Sequence, residues 1–176
     1  MELICANFAL RPWRPGDETA LAKHANDREV WINLNDRFPH PYTRADAVAW
    51  VGRPEARQRP PMTFAIAIGE EAVGRIGMRR LDDVHRKVAE IGYWLGRAHW
   101  GKGIATEALK RVTTYAFESF DIERLQARVF DRDAASCRVL EKAGYELEAR
   151  LKRSVLKDGE ILDALVYARL RHPPGA

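Results

Sequence analysis

The stretch Trp100-Gly101-Lys102-Gly103-Ile104-Ala105-Thr106 combines residue types that can hold a phosphate. It lies between an alternating apolar segment and a segment of helical period, so it reads as a strand-to-helix turn. The two glycines let backbone N–H groups come close to a ligand, and the helix start beyond them offers unpaired donors at the positive end of a dipole. Such a turn suits phosphate groups. Two known phosphate patterns fit poorly. A GxxxxGK loop would use Gly96, Gly101 and Lys102, but Gly103 stands where the magnesium-binding hydroxyl belongs. A GxGxxG dinucleotide turn needs a third glycine where Thr106 stands, and the strand before it follows a hairpin. A glycine-rich turn with no ligand is the remaining alternative. Elsewhere, Cys137 has no His or acid beside it to activate a thiolate, and His99 reads as a solvated loop residue.

The elements around this turn must position it. Leu3 to Pro12 reads as a strand, and Asp17 to Ala25 as a helix with Asp17 as its N-cap after Pro15-Gly16. A second helix is expected over Asp27 to Leu34. Thr43 and Asp46 have the spacing of a capping box and open a helix running to about Arg57, before Pro60-Pro61. Thr63 to Ile68 and Ala72 to Leu81 alternate across Gly69-Glu70-Glu71 as a hairpin, and Val88 to Leu95 is a third strand. From Gly103 the apolar period becomes helical, with Ile104, Ala108, Val112 and Ala116 spaced by four. Leu125 to Phe130 is a strand, Asp133 to Ala143 a helix ended by Gly144, and Tyr145 to Leu156 and Glu160 to Leu170 turn through Lys157-Asp158-Gly159. This order predicts an α+β domain with a mixed, mostly antiparallel sheet.

Bulk properties narrow the function classes. The 176 residues have the length of one domain, expected over 1–176. Met1 to Arg14 lacks an uninterrupted apolar run, which predicts a cytoplasmic protein with no membrane partner. The formal charge of +4 comes from scattered residues, so direct nucleic-acid binding is not expected, whereas a polyanionic cofactor is permitted. Cys5 and Cys137 stand far apart with no CxxC or Cys/His spacing, which predicts two reduced thiols and no metal.

Trp100 to Ala105 resembles the (Arg/Gln)-x-x-Gly-x-(Gly/Ala) loop of the GNAT superfamily of N-acetyltransferases, matching at Gly103 and Ala105 and departing where Trp100 replaces the Arg or Gln. Ala89-Glu90-Ile91-Gly92-Tyr93-Trp94-Leu95 is similar to the central strand of that family, and Asp133 to Tyr145 to its Asn-x-x-Ser...Leu-Glu-Lys-x-Gly-Phe helix. Asp158-Gly159 with Asp163 and Tyr167, Leu10-Arg11 before Asp17, and Pro41-Tyr42-Thr43 before Ala47 and Trp50 resemble the branch of the ribosomal-protein-alanine (RimJ/RimL-like) acetyltransferases.

The resemblance implies a GNAT fold: a twisted sheet of about seven strands with flanking helices, and CoA in a gap between two splayed parallel strands, Val88 to Leu95 and Leu125 to Phe130. It implies an acyltransferase that moves acetyl directly from acetyl-CoA, as co-substrate, to a primary amine. The CoA contacts it implies are Trp94 and Leu95 through their backbone, Trp100, Gly101, Lys102, Gly103, Ile104, Ala105 and Thr106 in the loop, and Asp133 and Ser136 in the following helix. Glu90 matches a carboxylate that some members use as general base, and it projects from the strand face opposite Ile91; a carboxylate that only pairs with an arginine or orients the amine is the alternative. The tyrosine many members use as general acid is replaced by Leu140. Ser136 could donate that proton, hydrogen-bond the CoA arm, or simply cap a backbone N–H; Asp133 is also the expected N-cap. Trp31, Arg37 and Tyr42, with Phe38 and Trp50, are candidates for the acceptor wall. The acceptor is either a protein N-terminus, which the branch favours, or a small molecule such as an antibiotic, polyamine or amino acid. A CoA-binding module without turnover is the third reading. The terminal hairpin offers an edge through which two copies could pair as a homodimer.

Overall fold

A computed structural model describes residues 1–171, so residues 172–176 of the expected domain lie outside the described residues. Its strands form an eight-stranded sheet in the order β1-β2-β3-β4-β5-β6-β8-β7. The chain divides into two compact units, Met1–Gly77 with Tyr93–Ala108, and Met78–Gly92 with the residues from Leu109 onward.

The first unit begins with β1 (Leu3–Ile4) and β2 (Ala9–Arg11), which pair antiparallel, so the single strand expected over Leu3 to Pro12 is a small hairpin. The chain turns where the Cys5 N–H meets the Phe8 carbonyl, and this accounts for eight strands where about seven were expected. β2 pairs antiparallel with β3 (Thr63–Ile68), whose unbroken apolar run is buried on both faces, and β3 pairs antiparallel with β4 (Glu71–Arg80).

Four short helices stand between β2 and β3: α1 (Glu18–Ala25), α2 (Arg28–Trp31), α3 (Arg44–Val51) and α4 (Pro54–Arg57). The capping box at Thr43 and Asp46 forms as expected. The helix expected to continue to Arg57 breaks instead, because Arg53 is extended (φ −67°, ψ 144°) ahead of Pro54. α2 likewise stops at Trp31, short of the expected Leu34. Asp17 occupies the N-cap position of α1, but its side chain makes no cap bond. It pairs instead with Arg11 through two hydrogen bonds of 2.7 and 2.8 Å and accepts the Arg14 N–H. Two charge-assisted bonds from a buried guanidinium outweigh one bond to a helix N–H. Trp13, Leu21, Val30, Tyr42 and Trp94 belong to the core of this unit.

The second unit carries β6 (Arg124–Phe130), α6 (Ala134–Lys142), β7 (Glu146–Lys157) and β8 (Glu160–Leu170). β8 pairs antiparallel with both β6 and β7. β7 is the outer strand, and its register slips between Leu147 and Ala149 and again between Leu151 and Val155. Slips of this kind bend an exposed edge and discourage extended pairing. β5 (Val88–Leu95) pairs parallel with β6, in the register Val88 to Arg124, Ala89 to Leu125 and Glu90 to Gln126. Both strands continue beyond that last registered pair. Three elements run through both units: β4, β5 and α5 (Ile104–Ser119), whose expected apolar stripe of Ile104, Ala108, Val112 and Ala116 is buried. Among the described residues, no helix is long and apolar enough to cross a membrane, and no cluster of His, Cys, Asp and Glu is placed to hold a metal.

Candidate functional site

In the first unit, β5 leads into the glycine turn through a one-turn 3-10 helix at Arg97–His99. Several contacts hold that turn in place. Arg97 pairs with Asp27 at 2.9 Å, and a Cβ on Gly96 would stand 2.6 Å from Nδ1 of His24, so only glycine allows the chain this close to α1. His99 is half-buried, edge-on to His24 at 5.3 Å, and is not the solvated residue expected from the sequence. Burial first, then the nearby His24 and Lys102, pushes its pKa below the ordinary value, so it stays neutral near pH 7. Trp100, which departs from the family loop, donates its indole N–H to the Leu95 carbonyl at 2.7 Å and ties the turn to the end of β5.

Beyond Trp100 the backbone takes over. Gly101 and Gly103 have φ of +73° and +77°, and nothing lies within 4 Å of where a Cβ would be on either. A side chain there would be strained and would project into the open space over the turn. The first intrahelical bond of α5 runs from the Glu107 N–H to the Gly103 carbonyl at 3.0 Å. The amides of Ile104, Ala105 and Thr106 therefore have no partner inside the helix, and Gly103 has no side chain to cap them. Lys102 is exposed beside them. This cradle fits the pyrophosphate of CoA: donors without acceptors, at a dipole's positive end, with room for the ligand.

The backbone of Trp94 and Leu95 is fixed by β4. A Cβ on Gly74 would meet the Trp94 carbonyl at 2.5 Å, so β4 approaches this segment more closely than any other residue would allow. The Trp94 side chain is buried against Phe38, with ring centroids 5.6 Å apart, and Phe38 packs on Tyr42 at 4.9 Å. Tyr42 is thus a core residue, its pKa pushed up to about 12 chiefly by burial. Trp31 stacks on His40 at 5.2 Å, and Arg37 is exposed.

In the second unit, Glu90 faces a cavity of about 490 Å³ lined by Leu81, His85, Val88, Arg124, Gln126 and Arg128. Its side chain is 32% exposed, which leaves it reachable, and both oxygens are held. Arg79 donates to Oε2 at 2.6 Å, and the Gln126 amide donates to Oε1 at 3.4 Å. Gln126 cannot turn its amide over without loss, because its carbonyl accepts from Arg124 Nε at 3.1 Å. Arg124 in turn grips both oxygens of Glu148 at 2.8 and 2.5 Å, holding that carboxyl below its usual range. A chain of five side chains, Arg79, Glu90, Gln126, Arg124 and Glu148, thus runs across strands β4 to β7 and aims one carboxylate. The sequence pointed to Glu90 alone. The signal for its partners was the polar face of β6, where Arg124, Gln126 and Arg128 alternate with apolar residues.

Asp133 caps α6 by accepting the Ser136 N–H at 3.0 Å, so these two residues meet as helix cap and first turn. Cys137 is buried, and burial raises its pKa, which opposes a nucleophilic thiolate. Tyr167 donates to Glu141 at 3.0 Å, and its pKa is raised by burial and by that bond.

Comparison with known proteins agrees with this geometry. Residues 7–146 match the family model described as an acetyltransferase (GNAT) domain. The chain is 33% identical over 171 residues to the N-acetyltransferase p20 of Bacillus licheniformis, covering 96% of each chain. It is 31% identical over 107 residues to the ribosomal-protein-serine acetyltransferase of Escherichia coli, covering 61% of this chain and 59% of that one. Among solved structures it superposes on RimJ of Mycobacterium smegmatis with a TM-score of 0.81 at 25% identity, covering 93% of this chain and 82% of the other. The chain belongs to the GNAT family of N-acetyltransferases.

Proposed function

We propose that this acetyltransferase acts on the N-terminal α-amine of a protein, with acetyl-CoA as co-substrate and Glu90 as the base. The observation that carries the proposal is the Glu90 carboxylate, fixed on both oxygens yet open to a cavity of about 490 Å³. A carboxylate kept only for structure would gain nothing from facing a cavity of this size. Support for the co-substrate comes from the glycine cradle and from the M. smegmatis RimJ structure, which is a complex with CoA-disulfide. The E. coli relative, a ribosomal-protein-serine acetyltransferase, supports the acceptor.

Acetyl-CoA supplies an acetyl thioester, and the residues of this chain do the rest. The amides of Ile104 to Thr106 bind the pyrophosphate, with Gly101 and Gly103 allowing its approach. Trp94 and Leu95 present backbone groups to the acetyl end. Glu90 takes the amine proton, directly or through one water. An α-amine, with an ordinary pKa of about 7.7 to 8.0, leaves Glu90 far less to do than a lysine near 10.4. Ser136 or solvent returns a proton to the leaving thiolate. Trp31 and Arg37 remain candidates for the acceptor wall within this proposal. A homodimer, if formed, would use the exposed side chains of Leu147 and Leu151 on β7 and not strand pairing along its bent edge, and light scattering would read it.

A cavity of this size also takes a small amine, which is the second reading. A screen of N-terminal peptides, lysine-bearing peptides and free small amines with acetyl-CoA, followed by thiol release, tests the two together. Turnover confined to peptide α-amines is the expected result; turnover confined to free small amines replaces the first reading with the second.

A further inference from the structure

The walls of the Glu90 cavity carry an imbalance of charge. Glu90 is neutralised by Arg79, and Arg124 is neutralised by Glu148. Arg128, the other arginine of the lining, is exposed and has no hydrogen bond or ion pair among the described residues. An acceptor that brings only an ammonium into this cavity adds a positive charge to an existing surplus. One that also brings a carboxylate balances it.

Spacing narrows the acceptor further. Gln126 stands opposite Glu90 in the parallel register, and Arg128 lies two residues further along β6 on the same strand face. Two residues of strand and one interstrand step separate the Cβ atoms of Glu90 and Arg128 by about 8 Å. A peptide whose N-terminal amine lies at Glu90, as proposed above, carries its first two side chains within this distance. The side chain of an acidic residue at the first or second position of a peptide spans the gap.

We propose that Arg128 is a specificity-determining residue, which selects acceptors whose N-terminal amine is accompanied by an Asp or Glu side chain in the first two residues. The inference rests on the reading that Glu90 receives the acceptor amine. Arg128 binds the acceptor carboxylate and takes no part in proton transfer. Its contribution should therefore fall in KM, with kcat little changed.

The test compares peptides that differ only in Asp, Asn or Lys at position two, in steady-state turnover with acetyl-CoA. The unmodified enzyme should prefer Asp over Asn by roughly five- to tenfold in kcat/KM, the range of a partly exposed charge-assisted contact, and should disfavour Lys. Arg128→Gln should bring the Asp/Asn ratio to about one, and Arg128→Glu should favour Lys over Asp. Each ratio is taken within one variant, so any loss of folded protein cancels. An Asp/Asn ratio that Arg128→Gln leaves unchanged overturns the role of Arg128. Preference for free amino acids over every peptide overturns the spacing argument. Acetylation of all three peptides that survives in full in Glu90→Gln overturns the underlying reading of Glu90, and the inference with it.

Discussion

The glycine turn and the Glu90 wall are built by opposite means. Between Trp100 and Thr106 the groups proposed to bind are backbone amides, left open by two glycines at φ of +73° and +77°. Around Glu90 the groups are side chains from four strands, each holding the next. A backbone cradle depends on residues within one turn of each other and tolerates Trp100 in place of Arg or Gln. A side-chain relay depends on strand register and tolerates much less. Local chemistry is therefore robust and readable, and relayed chemistry is fragile and hidden.

The two constructions should fail differently. Gly103→Val introduces a β-branched side chain at a positive φ, costing about 1–3 kcal/mol, and fills the space above the amides. Affinity for acetyl-CoA should fall by roughly 10²-fold in calorimetry, while the backbone strain lowers the thermal unfolding midpoint by only about 2–10 °C, since nothing lies within 4 Å of the new Cβ to add a clash. The relay should fail in turnover while CoA affinity holds. Gln126→Leu removes the donor to Glu90 and frees Arg124, and kcat should fall roughly tenfold as the carboxylate loses its fixed orientation. Equal losses of CoA affinity in both variants would show that the two regions are not separate in function.

Smaller changes sharpen the contrast. Trp100→Phe keeps the ring but loses the 2.7 Å bond to the Leu95 carbonyl, worth ~1 kcal/mol, so CoA affinity should weaken by about fivefold. The smallest effect is one of pH. His99 has a depressed pKa in the folded chain, so its contribution to stability is complete above its unfolded value of about 6.5. That contribution is lost as pH falls through the lower, folded value. The urea midpoint should decline on acidification from pH 6.5, and the decline should be shallower in His99→Gln.

What could be read from the sequence follows the same division. The capping box at Thr43 and Asp46, the apolar stripe of α5 and the Asp133 cap are all i to i+3 or i+4 relations, and the structure contains them. Asp17 was equally plausible as a cap, but Arg11 on β2 captured its carboxylate, a contact that no window along the helix contains. The break at Arg53 had a local signal in Gly52-Arg53-Pro54, and the more distant Pro60-Pro61 was a poorer guide to the helix end. Tyr42 shows why aromatic residues are hard to read: its type marks it as large, and only its burial against Phe38 shows that it fills a core. Glu90 was found by its strand motif, whereas Arg79, Arg124 and Glu148 were not, since each is an ordinary surface charge until the sheet register sets it beside its neighbour.

The most direct test of the account is the pH dependence of turnover in Glu90→Gln, measured on an N-terminal peptide acceptor at saturating acetyl-CoA. Loss of the base should lower kcat by roughly 10² or more near neutral pH, and raising the pH should restore part of it as solvent supplies the neutral amine. Near-normal turnover with an unchanged pH profile would contradict the account and leave Glu90 as the partner of Arg79 alone.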